Sequence, residues 1–462
     1  MTSENHPTAR PETAEHRRLA ESADASDPWR RWGPYVAGRQ WGTVREDYSA
    51  DGSAWDSFPF DHAYARAYRW GEDGLGAVCD RYGFVNLGVA LWNGNDPILK
   101  ERLFGLTNDE GNHGEDAKEH WWALDCTPTH SWMQWLYRYP QAEYPYRQLR
   151  EENALRGRDE REFELADTGV LEENRFFDVL VSYAKASPDE LCMTVTATNH
   201  GPDPAPLELV PQLWLRNTWG WGRDERRTQI RPVPVDDDLG FAAVRLPHEH
   251  LGEIHLAAEG RPEVVFCDNE TNRLKLFGSG MNAARYTKDG INDHIVHGAP
   301  NAVSRRGGTK VGFRYTVDEV APGASVTVRL RMSSTPPDAS TFGSGFDAVL
   351  TERRAEADEF YATVIDAGLS AEDTHVARRA YAGLLWGKQL YRYDVEQWLE
   401  GDPAEPAPAP ARRQPGARNL HWQHLSLADV ISMPDEWEYP WFAAWDTAFH
   451  TIPLAHVDPA FA

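Results

Sequence analysis

The sequence predicts a multidomain β + α chain, with an N-terminal antiparallel β-sandwich followed by an α-helical part. Three observations carry that expectation. Residues 191–199, 207–215, 309–317 and 325–332 alternate apolar and polar side chains, the period-two signature of strands with one buried face. The pairs Gly201-Pro202 and Pro322-Gly323 punctuate these runs as turns. After Thr335-Pro-Pro the period changes to a helical one, with Phe346, Val349, Leu350, Arg353, Ala357, Phe360, Tyr361 and Val364 near one stripe.

Taken in order, residues 1–26 are polar, lack aromatics and read as a disordered tail, or as a lone helix around 14–25. Order is expected from Trp29, so the sandwich spans 27–340 and a linker helix 341–370. A longer helix is expected over 373–399, where Val376, Ala380, Leu384, Leu385, Leu390 and Val395 are apolar and Glu372 or Asp373 stands near the start. The run Gly401-Asp-Pro-Ala-Glu-Pro-Ala-Pro-Ala-Pro-Ala411 excludes helix and reads as an exposed surface insertion.

Length and composition bound the function. A chain of 462 residues can bury a sizeable core. Its 19 Trp, 17 Tyr and 17 Phe make it unusually aromatic, which suits carbohydrate, although most such rings belong in a core. The formal charge of −25 argues against nucleic-acid and polyanionic partners, since phosphate binding needs a basic face. Cys79, Cys126, Cys192 and Cys267 form no CxxC and read as free buried thiols. With no secretory signal and no long apolar run, a cytoplasmic protein outside the membrane is expected.

Chemistry concentrates near residue 446. Asp446 sits among Trp437, Tyr439, Trp441 and Trp445, flat faces on which sugar rings stack beside a candidate general acid. Glu438 is its local rival, and the bland alternative for Asp446 is a helix N-cap. Upstream, residues 41–48, 55–62 and 68–73 interleave Arg, Asp, Glu, His and Trp, which reads either as a recognition surface or as Arg–carboxylate pairs closing loops. Glycines 105, 111 and 114 allow a loop holding His113, Glu115 and Asp116, but the histidines lack metal-site spacing, so hydrogen bonding to substrate is expected rather than a metal. Asp236-Asp-Asp238 reads as a solvated loop, and neither a GxSxG elbow nor a phosphate-binding glycine loop is present.

The segment Glu438-Tyr-Pro-Trp-Phe-Ala-Ala-Trp-Asp-Thr-Ala-Phe-His450 resembles the catalytic motif of glycoside hydrolase family 63, which includes processing α-glucosidase I and bacterial α-glucosidases. The likeness extends through 41–48, 68–74, 91–94, 100–107 and 111–116. It implies a β-sandwich packed on an (α/α)6 barrel, with inverting hydrolysis of α-glucosidic bonds in an oligosaccharide or small α-glucoside and no cofactor. Asp446 matches the general acid, and Tyr439, Trp441, Trp445, Trp437 and Glu438 would line the pocket, with Arg45, His113, Glu115 and Asp116 as further substrate contacts. The carboxyls of such a site stand roughly 6.5–9.5 Å apart. A complete barrel needs on the order of 300 residues or more, so 371–462 is expected to be its start only. The general base is then expected beyond Ala462, in a fragment inactive by itself. The alternatives are a non-catalytic carbohydrate-binding protein and a hydrolase of another small α-glycoside such as mannosylglycerate.

Overall fold

A computed structural model describes residues 12–22, 28–39, 60–106, 116–433 and 443–462. In chain order its strands are β1 (Trp32–Gly33), β2 (Leu75–Asp80), β3 (Val85–Trp92), β4 (Gly105–Leu106), β5 (Asp116–Ala117), β6 (Trp121–Cys126), β7 (Trp132–Pro140), β8 (Phe176–Ser187) and β9 (Glu190–Asn199). They continue as β10 (Ala205–Leu215), β11 (Arg231–Val233), β12 (Phe241–His248), β13 (Gly252–Glu259), β14 (Glu263–Cys267), β15 (Lys310–Val320), β16 (Ser325–Ser333), β17 (Lys388–Asp394) and β18 (Ser426–Ser432). The helices are α1 (Ala14–Glu21), α2 (Phe60–Ala63), α3 (Tyr146–Ala154), α4 (Arg273–Phe277), α5 (Gly290–Ile295), α6 (Ser344–Val364), α7 (Ala371–Trp386), α8 (Val395–Glu400) and α9 (Ala444–Val457).

Two antiparallel sheets share one core. One runs β1-β2-β3-β10-β15-β14 and the other β11-β12-β13-β16-β9-β8-β7-β6. Leu87, Leu209 and Phe313 of the first meet Val181, Val195 and Leu330 of the second in a single cluster of buried side chains. The four alternating runs read in the sequence lie within β9, β10, β15 and β16, whose inward positions are these apolar residues. All four cysteines are free and buried, as expected.

The outer face of the six-stranded sheet is covered by loops that bring charge inside. Lys310 Nζ donates to Glu101 at 2.9 Å, Arg102 Nε to Asp73 at 3.0 Å and Tyr68 OH to Asp73 at 3.0 Å. Glu72 accepts from Asn269 at 2.7 Å and from the Trp214 indole at 3.2 Å. All of these residues are buried, Tyr68 and Trp214 as rings and the others as polar or charged groups. Residues 68–73 are therefore paired groups inside the protein, the Arg–carboxylate alternative of the sequence reading.

Helix α6 buries Phe346, Arg353, Ala357, Phe360 and Tyr361, the stripe read from the sequence. It lies along β8, where Arg353 Nε donates to Lys185 O at 2.7 Å, so it is packed on the sandwich rather than a bare linker. Ser370 caps α7, which packs against β6 with Trp386 Nε1 donating to Asp125 O at 3.1 Å.

One expectation fails and two are refined. The helix expected over 373–399 stops at Trp386, and Lys388–Asp394 forms a strand paired with Ser426–Ser432. Tyr391, Tyr393 and Val395 alternate inward there, a period-two pattern inside an otherwise helical composition. Of the two readings of the N-terminal segment the helix is the one found, as α1, and it docks on the sandwich, because Glu15 accepts from Thr129 N at 2.8 Å and Ser131 Oγ at 2.8 Å. The proline-rich segment is anchored rather than merely exposed: Asp402 pairs with Arg69 and with Arg223 at 2.8 Å, and Arg412 donates to Trp398 O at 2.9 Å. Among the described residues after 371, the ribbon of β17 and β18 separates α7 from α9 and no closed ring of helices forms.

Candidate functional site

The site begins with the ribbon. β17 and β18 pair in register Lys388↔Ser432 to Asp394↔Ser426, and their inner side chains pack with Trp70, Trp398 and Met433. The aromatic motif follows β18 at once, and α9 then returns the chain to the ribbon. Thr447 Oγ1 donates to Ser432 O at 3.1 Å, and the Ser432 hydroxyl meets His450 Nδ1 at 2.8 Å. Leu454 and Val457 are the only residues of α9 that are fully buried, joining the core beside Leu385 and Trp386. Two ties to one strand residue and two apolar anchors thus fix how α9 presents its first turn.

Asp446 lies in that first turn and is half-buried. Ala443, not Asp446, occupies the N-cap, so the cap reading is corrected: the helix starts at Ala444, two residues before the aspartate. Burial holds the His450 imidazole below its ordinary range, and Asp446, one turn earlier on the same helix, pulls it the other way. His450 Nδ1 is hydrogen-bonded to the Ser432 hydroxyl, which fixes the ring's orientation on α9. Trp445 is 75% exposed and meets Phe449 edge to face at 5.7 Å, so its ring faces outward with Phe449 rather than covering Asp446.

Behind the other side of α9 lies a cleft of about 450 Å³, lined by Arg30, Tyr35, Lys388, Ser432, Thr447 and Thr451 among others. Its floor is a buried ion cluster: Asp458 accepts from Arg30 at 2.6 Å and from Lys388 at 3.2 Å. Burial lowers the Lys388 ammonium, and Asp458 opposes that shift. Cations and hydroxyls suit a polar oxygen-rich group, but Asp446 is not part of this lining.

Of the residues expected in the site, Asp446 and Trp445 share α9. Trp437, Glu438, Tyr439, Trp441, Arg45, His113 and Glu115 lie outside the described residues. Asp116 is placed by its backbone alone, paired with Leu106 in β5. The stretch after it is structural: Lys118 pairs with Glu162 at 2.6 Å, and Glu119 accepts from Lys100 at 2.9 Å and Tyr137 OH at 2.6 Å. No group of His, Cys, Asp and Glu among the described residues has metal-binding geometry. The Ser432–His450 contact and the Lys388–Asp458–Arg30 cluster were missed, since the first closes across the motif between residues 18 apart and the second joins residues up to 428 apart.

No family model matches this chain. It is 41% identical over 490 aligned positions to the uncharacterized protein YMR196W of Saccharomyces cerevisiae (strain ATCC 204508 / S288c), an alignment covering 97% of this chain and 45% of the yeast protein. The chain therefore spans less than half the length of that relative. Among solved structures, a putative aldose 1-epimerase from Escherichia coli K12 aligns with a TM-score of 0.22 and 10% identity, over 46% of this chain and 68% of the other. A galactose mutarotase related enzyme from Lactobacillus acidophilus aligns with a TM-score of 0.24 and 11% identity, over 56% and 90%. No helix among the described residues is long and apolar enough to cross a membrane.

Proposed function

We propose that this chain is the N-terminal part of an inverting glycoside hydrolase acting on α-glucosidic bonds, with Asp446 as general acid and the general base supplied by sequence beyond it. The observation that carries the reading is the motif Glu438 to His450, with its aspartate in the first turn of a helix held to the preceding strand through Ser432. Supporting it, α9 leaves Trp445, Phe449 and Ile452 outward at 75%, 58% and 65% exposure, a stripe that further packed helices would cover. The yeast relative has more than enough additional length for them.

In this mechanism Asp446 donates its proton to the leaving glycosidic oxygen as the bond to the anomeric carbon breaks. The distant base takes a proton from the water attacking the opposite face. His450, one turn away on the same helix, is held in place by Ser432 beside the acid. The test compares this chain with the full-length yeast relative on α-linked glucosyl disaccharides and mannosylglycerate, following the released anomer by NMR. Expected is no turnover by the 462-residue chain, and inverted sugar from the longer protein that is lost when its residue aligned with Asp446 becomes asparagine. Retained turnover in that variant sinks the assignment. Glycan binding by both proteins without turnover by either would favour a non-catalytic carbohydrate binder.

A further inference from the structure

The loop over 417–425, which leads from the proline-rich segment into β18, holds a tryptophan out into solvent. Trp422 is 57% exposed, and among the described tryptophans only it and Trp445 are exposed, the rest being covered wholly or in part. A single apolar side chain left on a loose surface would be ordinary. This loop is built. Leu420 and Leu425 pack on the cluster that contains Tyr393, Val395 and Trp398, and Asn419 Nδ2 donates to Tyr393 OH at 3.1 Å. Trp422 N–H closes on Asn419 O at 2.9 Å and Leu425 N–H on Trp422 O at 2.8 Å, with Asn419 in the left-handed region at a φ of 65°. Two apolar anchors and two successive turns therefore fix the residue whose ring they leave outside, the arrangement by which a scaffold presents a binding residue on a loop.

The surroundings of the ring point to the ligand. His421, Gln423 and His424, its neighbours in the loop, are all exposed, and the His424 ring centre lies 5.7 Å from that of the indole at a tilt of 32°. Neither imidazole has a hydrogen bond or an ion pair, and Gln423 spends only its amide N–H, on Leu420 O at 3.2 Å. One flat apolar ring with unspent donors and acceptors beside it is the complement of a pyranose, which is apolar on its C–H face and carries hydroxyls around its edge. The exposed apolar area is that of one side chain, far below the ~800 Å² per partner of a stable protein interface. Neither a carboxylate nor a guanidinium is among the three flanking side chains, so the fit is to a neutral sugar.

We infer that Trp422 is a surface platform for one neutral pyranose unit of an oligosaccharide, with the apolar face of the sugar on the indole and its hydroxyls toward His421, Gln423 and His424. The inference does not rest on the hydrolase reading, because the loop precedes β18, uses none of the α9 residues and would serve a binding protein as well as an enzyme. Saturation-transfer NMR titrations of the intact chain use maltotriose, isomaltotriose and the anionic trigalacturonate as probes. Expected is saturable binding of at least one neutral trisaccharide, tighter than that of trigalacturonate. Trp422→Ala should weaken it about fivefold or more, the loss of one ring contact, and Trp422→Tyr should restore most of it. Trp422→Ala takes away an exposed ring and no core contact, so the variant should keep the circular dichroism spectrum of the parent. Trp445→Ala and Asp446→Asn, both on α9, should leave this binding as it is, which separates a failure of the platform from a failure of the acid assignment. Loss of binding in Trp445→Ala but not in Trp422→Ala overturns the inference and moves the sugar to α9. Equal binding of trigalacturonate overturns the assignment to neutral sugars. Absence of saturation at millimolar neutral probe, or binding unchanged in folded Trp422→Ala, overturns the platform altogether.

Discussion

Replacing Glu15 by alanine tests how the N-terminal helix is held. The Glu15 carboxylate is completely buried and accepts four hydrogen bonds: from Thr129 N at 2.8 Å, Thr129 Oγ1 at 2.7 Å, Ser131 Oγ at 2.8 Å and Arg18 at 3.2 Å. Breaking a buried ion pair by removing one partner costs about 3–5 kcal/mol, and hydrogen bonds to a charge about 1.5–3 kcal/mol each. The full sum is not reached here. Arg18 keeps Glu356 as a partner, the two hydroxyls can turn to other acceptors, and water enters once α1 lifts. About 3 kcal/mol is the resulting expectation, taken at the low end of the range. Because α1 is a short terminal element, the loss should appear as local opening rather than as global unfolding. Hydrogen exchange of the α1 amides should therefore accelerate by about a hundredfold, while the β9 and β10 amides stay protected. Glu21→Ala, which removes an exposed contact to the Trp29 indole, is the matched control and should change little. Unaltered α1 exchange in Glu15→Ala would refute the claim that this one carboxylate docks the helix.

Asp96 should give the fold a pH slope. Burial raises its carboxyl from the ordinary range to about 6, against the opposing pull of Lys100. The folded state therefore holds a proton that the unfolded chain releases near pH 4. The contribution is complete below about pH 4 and is lost as pH rises through about 6, on the order of 3 kcal/mol. Urea titrations across that window should show the slope reduced in Asp96→Asn, which keeps an acceptor for Tyr139. Asp458→Ala strands Lys388 and Arg30 and should cost about 3–5 kcal/mol. The pair Lys388→Met with Asp458→Leu should recover much of that loss, and a double-mutant cycle in urea measures the coupling. Leu209→Ala, in the shared core, should cost about 2–5 kcal/mol by the same assay. Phe449→Ser with Ile452→Ser should lower self-association in sedimentation while leaving the circular dichroism spectrum unchanged, because both side chains face outward and neither supports the core.

The parts of the fold legible in the sequence are those where burial repeats with a local period. β10 could be read because Leu207, Leu209, Leu213 and Leu215 all point one way, and α6 because Phe346, Arg353, Ala357 and Phe360 recur at helical spacing. The ribbon strand 388–394 was misread for the same reason. Its length is one strand, its apolar residues continue those of α7, and the helix break rests on Gly387, whose N–H closes on Gly383 O at 2.9 Å. The docking of α1 could not be read at all. Its hydrophobic content is small, and the deciding partner of Glu15 lies 114 positions away at Thr129.

The same division runs through the candidate site. Asp446 stood out because aromatic residues crowd it in the sequence, a local signal. What fixes it in space is not local: Ser432 precedes the motif, His450 ends it, and the two meet only because α9 folds back on β18. A strand end, a helix one turn past the acid and the hydrogen bond between them are therefore one device for orienting that first turn. If so, Ser432→Ala should loosen α9 at Asp446 more than at Val457, where Leu454 and the Asp458 cluster still hold it. Hydrogen exchange that rises equally along the whole helix would show that the apolar anchors, and not the serine, set the position of the aspartate.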